Sequence, residues 1–374
     1  MSQEWKEKLK KYYAGNLSDE EVKEVEMEIE KLEVYQELLE EELDDETVRS
    51  DNTVKKKAKV STDLPPKSID KILKSGIRNA RLSLVAYVIM ILLLIYPIMT
   101  IVSYIYYGWG GKAEDLIDVA IQTVYVTEPN VSLEEMEIEE KVGLFTFDVY
   151  MDLYKRVGKS DIKQGDWIVN YQFDQATTPK RNYISESPPN DIPYYDTMKL
   201  FHPEARMTNI DGTAWTTLNK LPEGTVAEVY ISLEELYAPE KIKEITENLN
   251  IEWRWYAIDT GLEAEGKSSD GGYLAPIGYP AQPDPDAWSP YNTFGENEGQ
   301  FMDSLRFLEQ YEQQAVDIAH GKWLDLSERI RYLENNGIRA YGGVLTGPTK
   351  EILKLRENKA IRTIHIGEVR LWNW

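Results

Sequence analysis

The 374-residue chain contains no cysteine. That excludes disulfide staples, thiolate nucleophiles and any zinc site built on sulfur. Histidine is nearly as scarce, with His202, His320 and His365 the only three. They lie far apart and lack a metal-binding spacing such as H-E-x-x-H, so each is expected to be structural. Positive charge is also short: 42 Lys and Arg stand against 65 Asp and Glu, a net charge of -23. The basic footprint that direct nucleic-acid binding needs is therefore missing. An acidic chain suits a basic protein surface instead. No nucleophile or acid–base constellation stands out, so neither an enzyme nor a cofactor is expected.

Charge of either sign is absent from residues 82–111, and 84–106 read LVAYVIMILLLIYPIMTIVSYIY. A bilayer core of roughly 30 Å takes about 20 helical residues. No other stretch meets that need. A buried core helix would show a polar face, and this run has none. A signal peptide would begin near Met1, not after residues 1–81. One transmembrane helix is expected at 82–107. Pro97 is tolerable inside it, and Tyr104, Tyr106, Tyr107 and Trp109 suit the outer interface. Lys67, Lys71, Lys74, Arg78 and Arg81 precede the run, whereas Lys112 is followed by Glu114, Asp115 and Asp118. The excess of Lys and Arg puts the N-terminus in the cytoplasm and residues 108–374 outside the cell. The mean hydropathy of -0.48 fits water-soluble parts on both sides. An outer part without disulfides fits a Gram-positive cell. Its size lets it bury a core without staples.

Residues 1–46 read as a short all-α module. Trp5, Leu9 and Tyr12 share one helical face, and Gly15 is a stop signal. Ser18 to Glu21 form a capping box that opens a longer helix. In that helix Val22, Val25, Ile29, Leu32, Leu39 and Leu43 follow a heptad-like seam, with Gln36 filling one position. From Asp19 to Glu46 there are fifteen acids against Lys23 and Lys31. So short a segment cannot bury its stripe alone. A self-contained bundle or a homodimeric coiled coil is the plain reading, but like charges flanking the seam oppose self-association. A different, more basic partner fits better. Residues 47–81 read as a juxtamembrane linker. Its cluster Lys55, Lys56, Lys57 and Lys59 is placed either against anionic lipid or in solvent.

Beyond the span, residues 108–220 form a membrane-proximal region that is hard to read. Residues 115–126 suit a helix or a strand, 142–154 and 166–173 have strand composition, and 185–190 form a loop. Residues 221–374 are clearer. Strands are expected at 225–233 and 251–259 around a helix at 239–248. Two more, at 338–346 and 360–371, flank a helix at 348–358. This weak β-α-β repeat suggests an α+β domain with a ferredoxin-like split βαβ element. A Gly- and Pro-rich loop at 261–299 and helices at 299–320 and 325–336 lie between the two units.

Several motifs fail on mechanism. GLEAEGKS at 261–268 matches the P-loop pattern, but SDGGYLAP follows and cannot open a helix. Two glutamates inside it would repel phosphate. Ser68-Ile69-Asp70-Lys71 matches S-x-x-K without a K-T-G partner and sits beside the span. Asp284-Pro285-Asp286 and Asp270-Gly271-Gly272 could offer oxygens to Ca²⁺, yet no metal is expected. The outer tyrosines and tryptophans suit core packing more than a ligand groove.

The stretch W-x3-L-x2-Y-x-x-G-x-L-S-x-E-E, running on to KLEVYQELLEEEL, resembles the N-terminal module of membrane-anchored regulators of extracytoplasmic-function sigma factors in Bacillus-type bacteria. It is similar to their zinc-free branch, and the likeness covers roughly residues 1–110. GGVLTGPTKEILKL, then IRTIHIGEV and Trp372-Asn373-Trp374, resembles their C-terminal domain. The resemblance implies an anti-sigma factor that holds a sigma factor inside the cell and senses envelope state outside. A second small membrane protein is an implied further partner. Trp5, Leu9, Tyr12, Leu17, Val22, Val25, Ile29, Leu32, Leu39 and Leu43 would then be the sigma-binding anchors. A membrane-anchored adaptor or ligand-binding sensor that does not act on transcription is the alternative.

Overall fold

The computed structural model describes Val22, Val25 and residues 66–184, 199–205, 212–265, 274, 276–319 and 323–371. The chain divides into two units, Met1–Ser83 and Leu84–Trp374. Val22 and Val25 are helical. Helix α1 spans Pro66–Gly108. Proline suits a first helical position, because its missing N–H would be unpaired there anyway. Residues 66–81, expected as linker, are therefore helical. The basic cluster at 55–59 and the loop at 185–190 lie outside the described residues.

Residues 84–98 of α1 are exposed along their whole length, Leu93 by 70% and Tyr96 by 69%. A core helix of a water-soluble domain would bury such a surface. Among the described residues this is the one helix long and apolar enough to cross a membrane. Pro97 removes one rung of its ladder. Just beyond, Thr100 Oγ1 donates to the Tyr96 carbonyl and Ser103 Oγ to that of Met99, each at 2.9 Å. These bonds satisfy both hydroxyls within the helix itself.

A single 3-10 turn, Trp109–Gly111, ends α1. Gly110 and Gly111 take φ of 73° and 80°, left-handed values that glycine adopts at low cost. They let the chain swing into α2, Lys112–Thr127. Glu114 and Asp115 occupy its first turn, where the helix dipole favours negative charge. The segment that suited either a helix or a strand is thus a helix. Its face Leu116, Val119, Ala120 and Val124 is fully buried.

The first sheet is antiparallel. Its strands are β1 Val131–Leu133, β2 Glu139–Val142, β3 Thr146–Val157, β4 Ser160–Gln172, β5 Gln175–Ala176 and β6 Lys180–Tyr183. The spatial path is β1-β3-β4-β5, with β2 also on β3 and β6 on β4. Burial alternates along β3, and Phe147, Val149 and Met151 face Tyr171, Val169 and Trp167 across the ladder. That face receives α2, and Tyr171 donates to the Leu116 carbonyl at 2.7 Å. The single strand expected over 142–154 is broken at 143–145 into β2 and β3.

A short helix α3, Thr213–Lys220, leads to the second sheet. Its elements are β7 Thr225–Tyr237, α4 Pro239–Thr246, β8 Glu252–Ile258 and β9 Gly278–Pro280. After an inserted helical layer come β10 Ala340–Pro348, α8 Thr349–Lys354 and β11 Ile361–Leu371. The order is β11-β7-β10-β8-β9, all antiparallel. Pro348 closes β10 rather than opening the helix, and the expected helix to 358 ends in a 3-10 turn at Leu355–Glu357. The inserted layer holds α5 Asn297–Gln310, α6 Glu312–Ile318 and α7 Leu326–Asn336. One helix was expected over 299–320; Tyr311, with φ -124° and ψ 29°, breaks it in two.

The first nine residues of β7 are all buried, although alternation suggested one wet face. β7 is central in its sheet and packs against both β3 and α8. A sheet covered on both faces has no side left for water. The same holds for β10, whose first eight residues are all buried.

The two sheets are joined by polar bonds as well as by core. Asn130 Nδ2 donates to Glu228 Oε1 at 2.7 Å, and the Gly158 amide to Thr346 Oγ1 at 2.8 Å. Trp255 Nε1 donates to the Tyr125 carbonyl at 3.0 Å. Glu228 is buried, and Lys155 Nζ lies 3.7 Å from it.

Candidate functional site

Of the ten predicted anchors, Val22 and Val25 are described. Three residues apart on a helix, they adjoin on one face. Val25 is fully buried and Val22 half-buried. Trp5, Leu9, Tyr12, Leu17, Ile29, Leu32, Leu39 and Leu43 lie outside the described residues.

The end of α1 is bound to the open end of the β3–β4 ladder. Phe145 donates its amide to Ser103 Oγ at 2.9 Å. The Tyr107 hydroxyl lies 2.9 Å from the Phe145 carbonyl oxygen and 3.3 Å from that of Phe173. The Phe173 amide donates to the Phe145 carbonyl at 3.0 Å. Both phenylalanines are left-handed, at φ 53° and 56°. Such a backbone costs a bulky residue on the order of 1–3 kcal/mol and persists only where surroundings enforce it. Their rings stack at 5.0 Å, and Tyr107 stacks on Phe147 at 5.2 Å. Above them Lys112 Nζ reaches Asp174 at 2.7 Å and the Tyr106 hydroxyl at 2.9 Å. Burial alone would raise the Asp174 carboxyl, but the bonds from Lys112 and Tyr106 outweigh it and hold it below its usual range.

A second cluster lies behind the P-loop-like segment. Residues 261–265 form turns, and 266–268 lie outside the described residues. Glu263 accepts from Arg329 at 2.8 Å, from the Thr260 amide at 2.7 Å and from its hydroxyl at 2.6 Å. Arg329 is fully buried and Glu263 nearly so. Next to them Asp259 takes a bond from Tyr332 at 2.8 Å and one from the Gly261 amide at 3.0 Å. His202 Nε2 stands 3.5 Å from Asp259. Burial pushes Asp259 up, and the nearby His202 with the bonds from Gly261 and Tyr332 pulls it below normal. Glu263, inside the motif, is thus held in a structural ion pair.

A groove of about 210 Å³ runs between the Tyr125, Tyr154 and Arg156 side and the 280–286 loop with Arg254. Arg156 is paired with Asp161, and Arg254 with Glu252 at 2.5 Å. Beside it Glu135, hydrogen-bonded by Tyr125, is pushed up to about 7 by burial and by the negative Asp284 and Asp286, against the Tyr125 bond. Asp284 and Asp286 bond their own turn, Oδ1 of each accepting an amide two residues on at 2.9 Å. Among the described residues no group of three or more His, Cys, Asp or Glu could hold a metal ion.

Two family models match this chain: "Sigma factor regulator N-terminal" over residues 70–162 and "Sigma factor regulator C-terminal" over 218–368. The chain is also 33% identical to the "Probable anti-sigma-M factor YhdL" of Bacillus subtilis over 378 residues, with 100% of both chains covered. The chain belongs to the sigma factor regulator family. No solved structure matches it.

Within this sigma factor regulator, the N-terminal model starts at residue 70 and runs through α1, α2 and β1 to β3, ending at the start of β4. The membrane-proximal region, which offered no motif, is therefore partly a family feature. Residues 1–69 fall outside that model and are covered by the full-length relative. Sequence reasoning missed the Arg329–Glu263 pair, although Arg329 sits among Leu326, Ile330 and Leu333 on the buried face of α7. A lone arginine on an apolar stripe signals a buried partner. Nothing local announced the left-handed Phe145 and Phe173.

Proposed function

We propose that this regulator is a single-pass membrane anti-sigma factor with its N-terminus in the cytoplasm. The observation that carries the reading is the full-length identity to a protein named as an anti-sigma factor. The exposed apolar length of α1 supports the anchor. Lys71, Lys74, Arg78 and Arg81 on one flank, against Glu114, Asp115 and Asp118 on the other, support the orientation. The acidic helices at 1–46 would lay their apolar stripe on the sigma factor and cover the surfaces it needs for polymerase or promoter. Their glutamates would complement its basic faces, which raises on-rate and specificity more than affinity. The protein acts by occlusion, not by catalysis.

The folded half is the envelope sensor in this reading. Its second sheet is proposed as a ferredoxin-like split βαβ: β7-α4-β8 and β10-α8-β11 pair in the order β11-β7-β10-β8. A signal can act through it only by binding two states unequally. A second small membrane protein is a further proposed partner.

The test is recovery of the full-length tagged protein from membranes. A small sigma factor should co-purify and be lost in the variant Val25→Asp/Ile29→Asp, while deletion of the gene should raise a sigma regulon. Recovery of wall or division proteins alone, with transcription unchanged, would reject the reading in favour of an envelope adaptor.

A further inference from the structure

We propose that the open end of the β3–β4 ladder is a membrane-seated hook. Leu144, Phe145 and Phe173 would enter the leaflet on the folded side and lock the first sheet to the span. The inference rests on α1 being that span.

Depth is the first argument. The amide of Phe145 bonds the hydroxyl of Ser103. Ser103 stands three residues before Tyr106, the last of the apolar run, which is about 5 Å at helical rise. A backbone group bonded there cannot stand clear of the bilayer surface. Exposure is the second. Leu144 is 48% exposed and Phe173 45%, and Trp109, which follows the helix end, is 80% exposed. Partly exposed apolar side chains next to a span match the aromatic and aliphatic content of the interface.

The third argument is the chemistry of the joint. The rings of Phe145 and Phe173 stack on each other, and the Tyr106 ring meets Phe173 edge-on at 5.7 Å. Lys112 Nζ lies 4.1 Å from the centre of the Tyr106 ring and is paired with Asp174. Aromatic rings bordered by a paired charge are what a leaflet boundary selects. Backbone satisfaction is the fourth. The Phe145 amide and carbonyl and the Phe173 amide are paired within the joint, and Tyr107 lies within reach of the Phe173 carbonyl. Non-helical backbone is tolerated at membrane depth only when protein pairs its polar groups. The left-handed φ of both phenylalanines is what allows that pairing.

The consequence is mechanical. β3 extends 12 residues from this hook to the Gly158 turn, which bonds Thr346 of the second sheet. That is a strut of roughly 40 Å. Tilt or rotation of the second sheet would reach α1 through the hook, with no free linker to absorb it.

The absence of cysteine makes single-cysteine labelling clean. The full-length protein would carry an environment-sensitive fluorophore at Leu144→Cys, Phe173→Cys, Leu93→Cys or Phe294→Cys, in nanodiscs of phosphatidylglycerol and phosphatidylethanolamine. Lipids spin-labelled high or low on the acyl chain would quench it. Labels at positions 144 and 173 should emit to the blue and be quenched by the shallow label, and the label at 93 by the deep one. Phe294, 84% exposed on the second-sheet side, is the aqueous control. If 93 is quenched while 144 and 173 behave like 294, the hook is overturned and the span stands. If 93 is not quenched, the span reading fails and takes the hook with it. Leu144 is a surface position with ordinary backbone, so its variant decides the matter even if the strained Phe173 site does not fold when replaced.

Discussion

The two sheets of the folded half carry their polar groups in opposite ways. The second sheet is covered on both faces, and its main polar device, Arg329 with Glu263, is fully enclosed. The first sheet keeps one face on α2 and the other half-buried, and two of its polar devices sit at its margins. Asp174 with Lys112 is at one end, and Glu135 with Tyr125 beside β1. An enclosed pair stabilises only while both partners are present. An edge pair answers to pH, salt and neighbours. The difference assigns rigidity to the second sheet and responsiveness to the first, which is the one that holds the end of α1.

The strongest way to break this comparison is at Arg329. Glu263→Ala should destabilise the two-sheet domain by about 3–5 kcal/mol, because it removes the carboxylate that faces a fully buried guanidinium. Denaturant unfolding would measure it as a fall in midpoint with little change in slope. The double variant Arg329→Met/Glu263→Leu should recover most of that loss. If Glu263→Ala unfolds no earlier than the parent, the pair is not enclosed and the contrast between the sheets is lost.

How far the fold could be read in the sequence follows the same division. The long apolar helix α1 was legible because charge and polar face are both absent over residues 84–106. The strands of the second sheet were legible because β-branched and aromatic runs such as TVAEVYISL are bounded by Pro239 and Pro348. Their burial on two faces was not, since coverage by β3 is set by residues some 80 positions away. The first sheet was hardest. β2 reads EEKV, with no apolar face to give it a period. The break at 143–145 comes from bonds to Ser103 and Tyr107, about 40 residues upstream. At the candidate site, the helical state of Val22 and Val25 agrees with the period, while their role as sigma-binding anchors stays a proposal. The partner of Glu263 was not legible, because Arg329 is 66 positions distant and the local letters spell a P-loop.

A smaller effect sharpens the responsive side. Glu135 is pushed up to about 7 in the folded chain by burial, with Asp284 and Asp286 adding to it. Its folded value lies above its unfolded one, near 4.5, so the fold favours the neutral acid. That stabilisation is complete below the unfolded value and is lost as pH climbs through about 7. The limb amounts to about 3 kcal/mol at most. Asp174 and Asp259, held low, act in the opposite sense and lose stability at acid pH. The Glu135 share is therefore read as a difference: Tm of the parent minus Tm of Glu135→Gln should fall between pH 5 and pH 7.5. Parallel curves for the two proteins would remove Glu135 from the responsive set.

The smallest effect bears on the joint itself. Tyr107→Phe deletes one hydroxyl while leaving the ring stacked on Phe147. The hydroxyl has a single hydrogen, shared between the carbonyls of Phe145 and Phe173, so one net hydrogen bond is lost. In water that would be worth about 1 kcal/mol. At the edge of a bilayer a freed carbonyl finds less water, so the loss should be somewhat larger in nanodiscs than in detergent, where water reaches the joint. Hydrogen exchange at the Phe145 and Phe173 amides reads this locally: both should exchange faster in the variant, while amides of β7 and β10 keep their protection. Faster exchange spread evenly over both sheets would mean that the joint and the platform open as one unit, and that the first sheet is no more responsive than the second.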